Sequence, residues 1–211
     1  MKTRAKVGLV LGLILVLVFV VTTLYSGFSE LSAKPADPDR AKRGEVIEYR
    51  VIYAKEVLEI KHMLFGIIPT YSEHFYVTLD EDGINRLAIR ADKEWFSDNF
   101  SEDGVAKAPV LVSGLIKSSS GKKGLNLSGV NAKLGDMGHI EDGQYADASY
   151  ISEASLKILS GVLLITAVIT CTIMLIMLEK GIIRKGGMGV NVMAIAVIIQ
   201  TLGFIIIRFA I

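Results

Sequence analysis

Histidine and cysteine are the side chains of this chain that could bind a metal ion or act as nucleophiles. The three histidines, His62, His74 and His139, are dispersed, and none has a second histidine or a cysteine at metal-ligand spacing. The single cysteine, Cys171, lies within a long apolar run, so no intrachain disulfide and no CxxC redox motif can form. We therefore expect neither a metal site nor a cofactor.

Sequence motifs for phosphate, calcium or acyl chemistry are also missing. There is no nucleophile elbow, no P-loop and no HExxH motif in the sequence. The DEDG segment at 80–83 resembles the start of a calcium loop, but it lacks the spaced ligands and the distal glutamate. The glycine-rich pieces 121–124 and 135–143 do not connect a strand to a helix, as phosphate-binding loops do. These patterns favour a non-enzymatic protein.

One apolar segment, HMLFGIIPTY, does not alternate like a half-exposed strand. Five large apolar residues fall within six positions: Met63, Leu64, Phe65, Ile67 and Ile68. Two interpretations are open. The segment packs into the core of its domain, or it forms an exposed loop that contacts a partner or dips into the outer leaflet. These five residues are our candidate contact surface.

The polar part of the chain that contains this segment lies between long apolar runs. There are three such runs, at 7–25, 158–178 and Met188–Ile207. Each run is close to the roughly 20 residues that a helix needs to cross a bilayer, and none contains Asp, Glu, Lys or Arg. The sequence thus predicts a multi-pass membrane protein with three transmembrane helices. The first run could be a cleaved secretory signal, but its length and its poor cleavage site favour an uncleaved anchor at 1–25.

Two short basic segments predict the orientation. Residues 1–6 hold three basic residues, and the loop at 179–187 holds three basic residues against one acid. Short basic flanks stay in the cytoplasm. We therefore predict a plasma (inner) membrane protein with a cytoplasmic N-terminus and with residues 26–155 on the extracytoplasmic side.

Small and polar residues within the apolar runs are candidates for helix packing. Gly12 belongs to a GxxxG pattern in the first run, and Asn191 and Gln200 are amides in the third run. Asn191 and Gln200 are half a turn out of phase, so both cannot face one neighbouring helix. Because no run contains an ionisable residue, we expect no intramembrane ion path.

The polar stretch between the first two runs predicts a linker at 26–44 and a β-domain at 45–155, before a helical hairpin at 156–211. The DEDG segment is a hairpin turn in this interpretation. A short helix is predicted at 92–100, with Trp95 and Phe96 largely buried. Strand patterns occur at 45–54, 74–79, 84–90, 109–117 and 125–130.

This order of strands around one helix is similar to that of an OB-fold, a small five-stranded Greek-key barrel. In that resemblance, residues 45–60 supply the long first strand. A β-sandwich fragment and a split-barrel α+β domain are the alternatives. The polar stretch 26–155 holds 15 basic and 21 acidic residues, which gives a net charge of −6. An acidic domain argues against nucleic acid as a partner, because phosphates need the opposite charge.

The whole layout resembles uncharacterised bacterial membrane proteins built from an anchor, a small extracytoplasmic β-domain and a C-terminal helical hairpin. The resemblance rests on this layout and on the PVLVSGLIK strand at 109–117. It implies location and architecture, and it implies no activity. We therefore expect a non-enzymatic binding or assembly module of the cell envelope, which contacts the lipid bilayer and a membrane or envelope protein. The alternative is an accessory subunit of a membrane transport or secretion complex.

Overall fold

The computed structural model describes residues 3–38, 40–64, 67–81, 86–119, 144–183 and 187–210. The chain divides into two compact units: Met1–Ser29 with Ser152–Ile211, and Glu30–Ile151. Along the chain the elements are α1 (Thr3–Leu31), β1 (Pro35–Ala36), β2 (Val46–Leu64), β3 (Ile68–Asp80), β4 (Arg86–Ala91), α2 (Lys93–Asn99), β5 (Val105–Ser118), β6 (Gln144–Asp147), α3 (Tyr150–Glu179) and α4 (Met188–Ala210).

The first unit consists of helices that are long and apolar enough to cross a membrane. The apolar stretches of α1, α3 and α4 have mean hydropathies of 1.9, 2.6 and 2.4, and few of their side chains are buried. Such exposure is typical of helices whose apolar surface faces lipid. The three predicted apolar helices are thus confirmed. All three extend beyond the predicted runs, since α1 continues to Leu31, α3 already begins at Tyr150 and α4 continues to Ala210.

The second unit contains a six-stranded mixed sheet with the order β1-β2-β3-β4-β6-β5. The β1–β2 and β4–β6 pairs are parallel, and the other pairs are antiparallel. Strand β2 also pairs with β5 through its first half. Hydrogen-bonded pairing therefore passes from β2 through β3, β4, β6 and β5 and returns to β2.

The predicted strands are largely confirmed, although β2 and β3 are longer than predicted. Their pairing contains register shifts between Val51 and Tyr53, between Glu56 and Leu58, and between Lys61 and Met63. Each shift changes the face on which the next side chains lie, so the alternation in the sequence is lost. The predicted strand at 125–130 lies outside the described residues, and β6 was not predicted because its four residues are too few for a pattern.

Helix α2 confirms the predicted short helix and packs its aromatic residues against the main core. The ring of Phe96 stacks on Tyr76 with centroids 4.9 Å apart, and Trp95 contacts Phe100 at 5.1 Å. Tyr76 and Phe100 are buried. Trp95 and Phe96 are only half-buried, contrary to prediction, because α2 covers the core from outside and its rings keep one edge in water.

Strands β2 and β3 continue past the rest of the sheet as a two-stranded arm. Strand β4 pairs with β3 only from His74 onward, and β5 pairs with β2 only up to Tyr53. Among the described residues, 60–64 and 68–73 therefore pair only with each other, and we call these two segments the arm. A two-stranded ribbon is marginal alone in water, so the arm depends on the sheet from which it extends.

Candidate functional site

The apolar segment singled out in the sequence lies at the tip of the arm. Leu64 ends β2 and pairs with Ile68, which begins β3. The side chains of Met63 and Ile67 are 53% and 80% exposed. Phe65 lies outside the described residues. The structure therefore brings the four described members of the segment to one tip and leaves two large apolar side chains in water.

Side-chain contacts along the arm explain how it stays paired. The rings of His62 and Tyr71 stack with centroids 4.2 Å apart and planes inclined by 10°. The hydroxyl of Thr70 donates a hydrogen bond of 3.0 Å to the carbonyl oxygen of His62. These contacts join β2 to β3 just before the tip, so the tip is presented on a braced ribbon.

A buried ionic cluster joins four strands at the base of the arm: Glu73, Arg90, Lys117 and Asp147 come from β3, β4, β5 and β6. Arg90 contacts Glu73 through Nε and Asp147 through Nη1, both at 3.1 Å. Lys117 Nζ lies 2.5 Å from the same Asp147 oxygen. Asp147 and Glu73 are 0% and 4% exposed. Two cations facing two carboxylates leave the cluster with no net charge, as buried charges require.

Other groups lie close to the remaining oxygens of the ionic cluster. The backbone N–H of Ser149 donates to Asp147 Oδ1 at 3.0 Å. His62 Nε2 lies 3.3 Å from Glu73 Oε2 but forms no hydrogen bond with any described residue. Burial, followed by the nearby Asp147 charge, raises the pKa of Tyr145. Each described charge of the cluster thus faces at least one opposite charge, which offsets part of the cost of burying it.

The sequence did not predict this cluster, because its members are far apart along the chain. Glu73 and Arg90 face each other only once β3 and β4 are in register, and Asp147 belongs to the unpredicted β6. A sequence signal does exist, since Glu73 precedes the buried Phe75 by two positions in β3. A charged residue on the buried face of a strand needs a partner of opposite charge.

Two buried tyrosine hydroxyls in the same unit differ in their hydrogen bonding. The hydroxyl of Tyr49 lies 2.9 Å from Thr78 Oγ1, whereas the hydroxyl of Tyr76 is buried and has no hydrogen-bond partner among the described residues. Burial raises the pKa of both Tyr49 and Tyr76. The two phenols thus stay neutral throughout the physiological pH range.

The described histidines each face one carboxylate rather than a set of metal ligands. His74 Nδ1 lies 2.7 Å from Glu56 Oε1, and His62 faces Glu73. His139 lies outside the described residues. Within the part of the chain that the structure describes, no three His, Cys, Asp or Glu side chains come together as a metal site would require.

Helix packing in the first unit uses glycines other than the predicted one. A Cβ atom added at Gly12 would meet nothing within 4 Å. At Gly27 it would lie 2.9 Å from the carbonyl oxygen of Ala154, and at Gly161 it would lie 2.7 Å from Leu24. Close contact between α1 and α3 therefore depends on Gly27 and Gly161, which lie outside any GxxxG pattern of the first run.

The predicted amides of α4 occupy two different environments. Asn191 is exposed near the start of α4, whereas Gln200 Oε1 is buried and no described residue forms a hydrogen bond with it. Threonine hydroxyls in the apolar helices behave in another way. Those of Thr166, Thr170 and Thr201 donate to backbone carbonyls of their own helix. Threonine polarity is thus satisfied locally and needs no neighbouring helix.

Comparison with known proteins identifies no relative of this chain. No family model matches it, and no curated protein and no solved structure is significantly similar to it. The resemblance to bacterial membrane proteins of the same layout stays a prediction. The function must therefore be argued from the geometry of the chain itself.

Proposed function

We propose that this protein is a non-enzymatic, membrane-tethered binding or assembly module whose contact surface is the tip of the arm. The observation that carries the proposal is the exposure of Met63 and Ile67 at the end of a braced two-stranded ribbon. Burying one such side chain on a partner is worth roughly 1.5–3 kcal/mol. The tip therefore offers enough apolar surface to anchor a partner.

An OB-like barrel is the interpretation of the sheet that we favour. The circuit of pairings from β2 through β3, β4, β6 and β5 back to β2, with α2 between β4 and β5, supports it. In OB-folds the loop between the first two barrel strands lies beside the ligand-binding face. In this chain that loop is the tip of the arm, so fold and exposure favour the same surface.

The connections between the apolar helices and the sheet are short. Helix α1 ends at Leu31 and β1 begins at Pro35, while β6 ends at Asp147 and α3 begins at Tyr150. Each connection spans at most about 15 Å. The basic segments at 1–6 and 179–187 support a cytoplasmic N-terminus and an extracytoplasmic domain. A membrane or envelope protein is therefore the class of partner that we propose.

Photo-cross-linking in native membranes tests the proposal. A photoreactive residue replaces Ile67, and the matched control replaces Leu111, which is an apolar residue of β5 with 64% exposure. We expect a discrete protein adduct at Ile67 and none at Leu111. Equal adducts at both positions, adducts to lipid alone, or no adduct at Ile67 would each contradict an assembly role for the tip.

A measurement of unfolding stability distinguishes whether the tip is a contact surface or a part of the core. The double variant Met63→Ser with Ile67→Ser should lose the adduct partner but keep the unfolding midpoint of the parent. The control variant Val105→Ser with Leu111→Ser changes two residues of similar exposure and should keep both. If the tip variant unfolds much more easily than the control, the segment belongs to the core.

An accessory subunit of a transport or secretion complex is the second candidate. The exposed amide of Asn191 on a largely apolar helix favours it, because amides in membrane helices can hydrogen-bond across to a neighbouring helix. In that case a photoreactive residue at Ile199 of α4, which is also exposed, would capture a partner and one at Ile67 would not.

A further inference from the structure

An open cleft of about 460 Å3 lies between β2, α2 and the turn that follows α2. Tyr53 and Glu56 of β2 line one side, Phe96 lies on α2, and Glu102 and Asp103 belong to the turn. The tip of the arm contributes no residue to this cleft. It is therefore a second surface with its own chemistry.

The turn that forms the cleft wall is held close to β2. Ala54 donates its backbone N–H to the carbonyl oxygen of Gly104 at 2.9 Å, and Gly104 donates to Ser101 at 2.9 Å. Gly104 has φ of +83°, and a Cβ there would collide with the carbonyl oxygen of Ala54. Only glycine suits this backbone, so the turn presents Glu102 and Asp103 at a defined distance from β2.

The cleft carries excess negative charge. Its lining holds three acids, Glu56, Glu102 and Asp103, against Lys55. Glu56 is paired with His74, whereas Glu102 and Asp103 form no ion pair and no side-chain hydrogen bond with any described residue. The surrounding segment 92–104 holds five acids and one lysine. A cation in the cleft would therefore lie near two unpaired carboxylates, and the negative charges of the neighbouring acids would also attract it.

The aromatic lining indicates which cation fits. Tyr53 and Phe96 are half-buried and form an apolar wall beside the acids. A lysine or arginine side chain has an aliphatic stem that packs on apolar surface and a charged head that seeks carboxylates. Such a side chain matches both halves of the cleft, whereas a bare metal ion would use only the acids.

We propose that this cleft binds a lysine or arginine side chain from a basic peptide segment of a partner. The stem packs against Tyr53 and Phe96, and the cationic head lies between Glu102 and Asp103. The site is independent of the arm tip, so either proposal can fail without the other. Anionic lipid is excluded as the ligand, because its charge has the same sign as that of the cleft.

Fluorescence anisotropy of a labelled hexa-lysine peptide tests this site, with the full-length protein in non-ionic detergent at low ionic strength. The cleft variant is Glu102→Gln with Asp103→Asn. The control variant is Glu94→Gln with Asp98→Asn, which removes the same charge from exposed positions of α2. We expect the cleft variant to raise Kd about fivefold or more and the control to change it less than about twofold.

If both variants weaken peptide binding equally, the peptide is attracted to the acidic surface in general and the proposal is overturned. The proposal is also overturned if the peptide does not bind to the parent protein. A second measurement needs no variant. Zero-length carbodiimide cross-linking of the parent protein to the same peptide, mapped by mass spectrometry, should join lysine to Glu102 or Asp103. Adducts confined to Glu94 or Asp98 would place the peptide elsewhere.

Discussion

Replacing Asp147 with asparagine should destabilise the sheet more than any surface substitution of the same charge. The Asp147 carboxylate is fully buried and accepts hydrogen bonds from Arg90, from Lys117 and from the Ser149 backbone. Asparagine keeps the size and the contact with Ser149, but it leaves the two cations Arg90 and Lys117 with one carboxylate in the cluster, Glu73. Removing one partner of a buried ion pair costs about 3–5 kcal/mol.

The lower end of that range is expected here, because Lys117 is 21% exposed and can turn its ammonium group toward water. A loss of about 3 kcal/mol is a large part of the roughly 5–15 kcal/mol that stabilises a typical domain. With a urea dependence of about 1.5–2 kcal/mol per M for a domain of this size, the unfolding midpoint should fall by about 1.5–2 M.

The assay is urea unfolding of the full-length protein in non-ionic detergent, followed by the fluorescence of Trp95. Trp95 is the single tryptophan of the chain and packs on Phe100, so its emission reports the core of the second unit. Asp98→Asn on α2 is the matched control and should leave the midpoint within about 0.3 M. A midpoint for Asp147→Asn within that same margin would refute the role of the ionic cluster.

A compensating variant tests the reasoning about charge balance. Adding Lys117→Met to Asp147→Asn removes the surplus cation and leaves one buried pair, Glu73 with Arg90. We expect the double variant to be more stable than the sum of the two single losses, by about 1 kcal/mol. Simple additivity would mean that the cations do not interact through Asp147.

Two further predictions concern matched pairs of residues. Tyr49→Phe should lower the free energy of unfolding by about 0.5–1.5 kcal/mol, since it removes the hydrogen bond to Thr78. Tyr76→Phe should not lower it, because the buried hydroxyl has no partner among the described residues. Urea midpoints check both, and an equal loss of stability for the two variants would contradict the difference in hydrogen bonding. Gly27→Ala should lower the thermal unfolding midpoint in detergent by the equivalent of about 1–3 kcal/mol through overpacking. Gly12→Ala should leave the midpoint unchanged, because an added Cβ there has nothing within 4 Å. A larger loss of stability for Gly12→Ala would show that α1 packs through its other end.

The apolar helices and most strands could be predicted because their signals are local. Hydropathy over about 20 residues identifies a membrane helix without any tertiary information. Alternation at 74–79 and 84–90 predicts the β3–β4 pair equally well. The alternation alone indicates only the first half of β2, because the register shifts near Glu56 and Lys61 disturb it; the resemblance to an OB-fold extends the strand to residue 60, and β6 has too few residues to show a pattern.

The candidate site could be predicted only in part, because only part of it has a local signal in the sequence. Met63 and Ile67 stand out as a run of apolar residues, so the sequence singles out the tip of the arm. Nothing local shows that Asp147 will meet Arg90, or that the turn ending at Gly104 will close on Ala54. Such encounters depend on strand register and on long-range closure, which one sequence does not encode in any short window.

The position of β6 has a consequence for the biogenesis of this protein. Asp147 ends β6, and only two residues separate it from the first residue of α3. During synthesis from the N-terminus, Arg90 and Lys117 are therefore made before the carboxylate that neutralises them. The sheet can therefore be completed no earlier than the moment at which synthesis reaches the start of α3, the next apolar helix. Until then the two cations of the sheet lack their shared carboxylate.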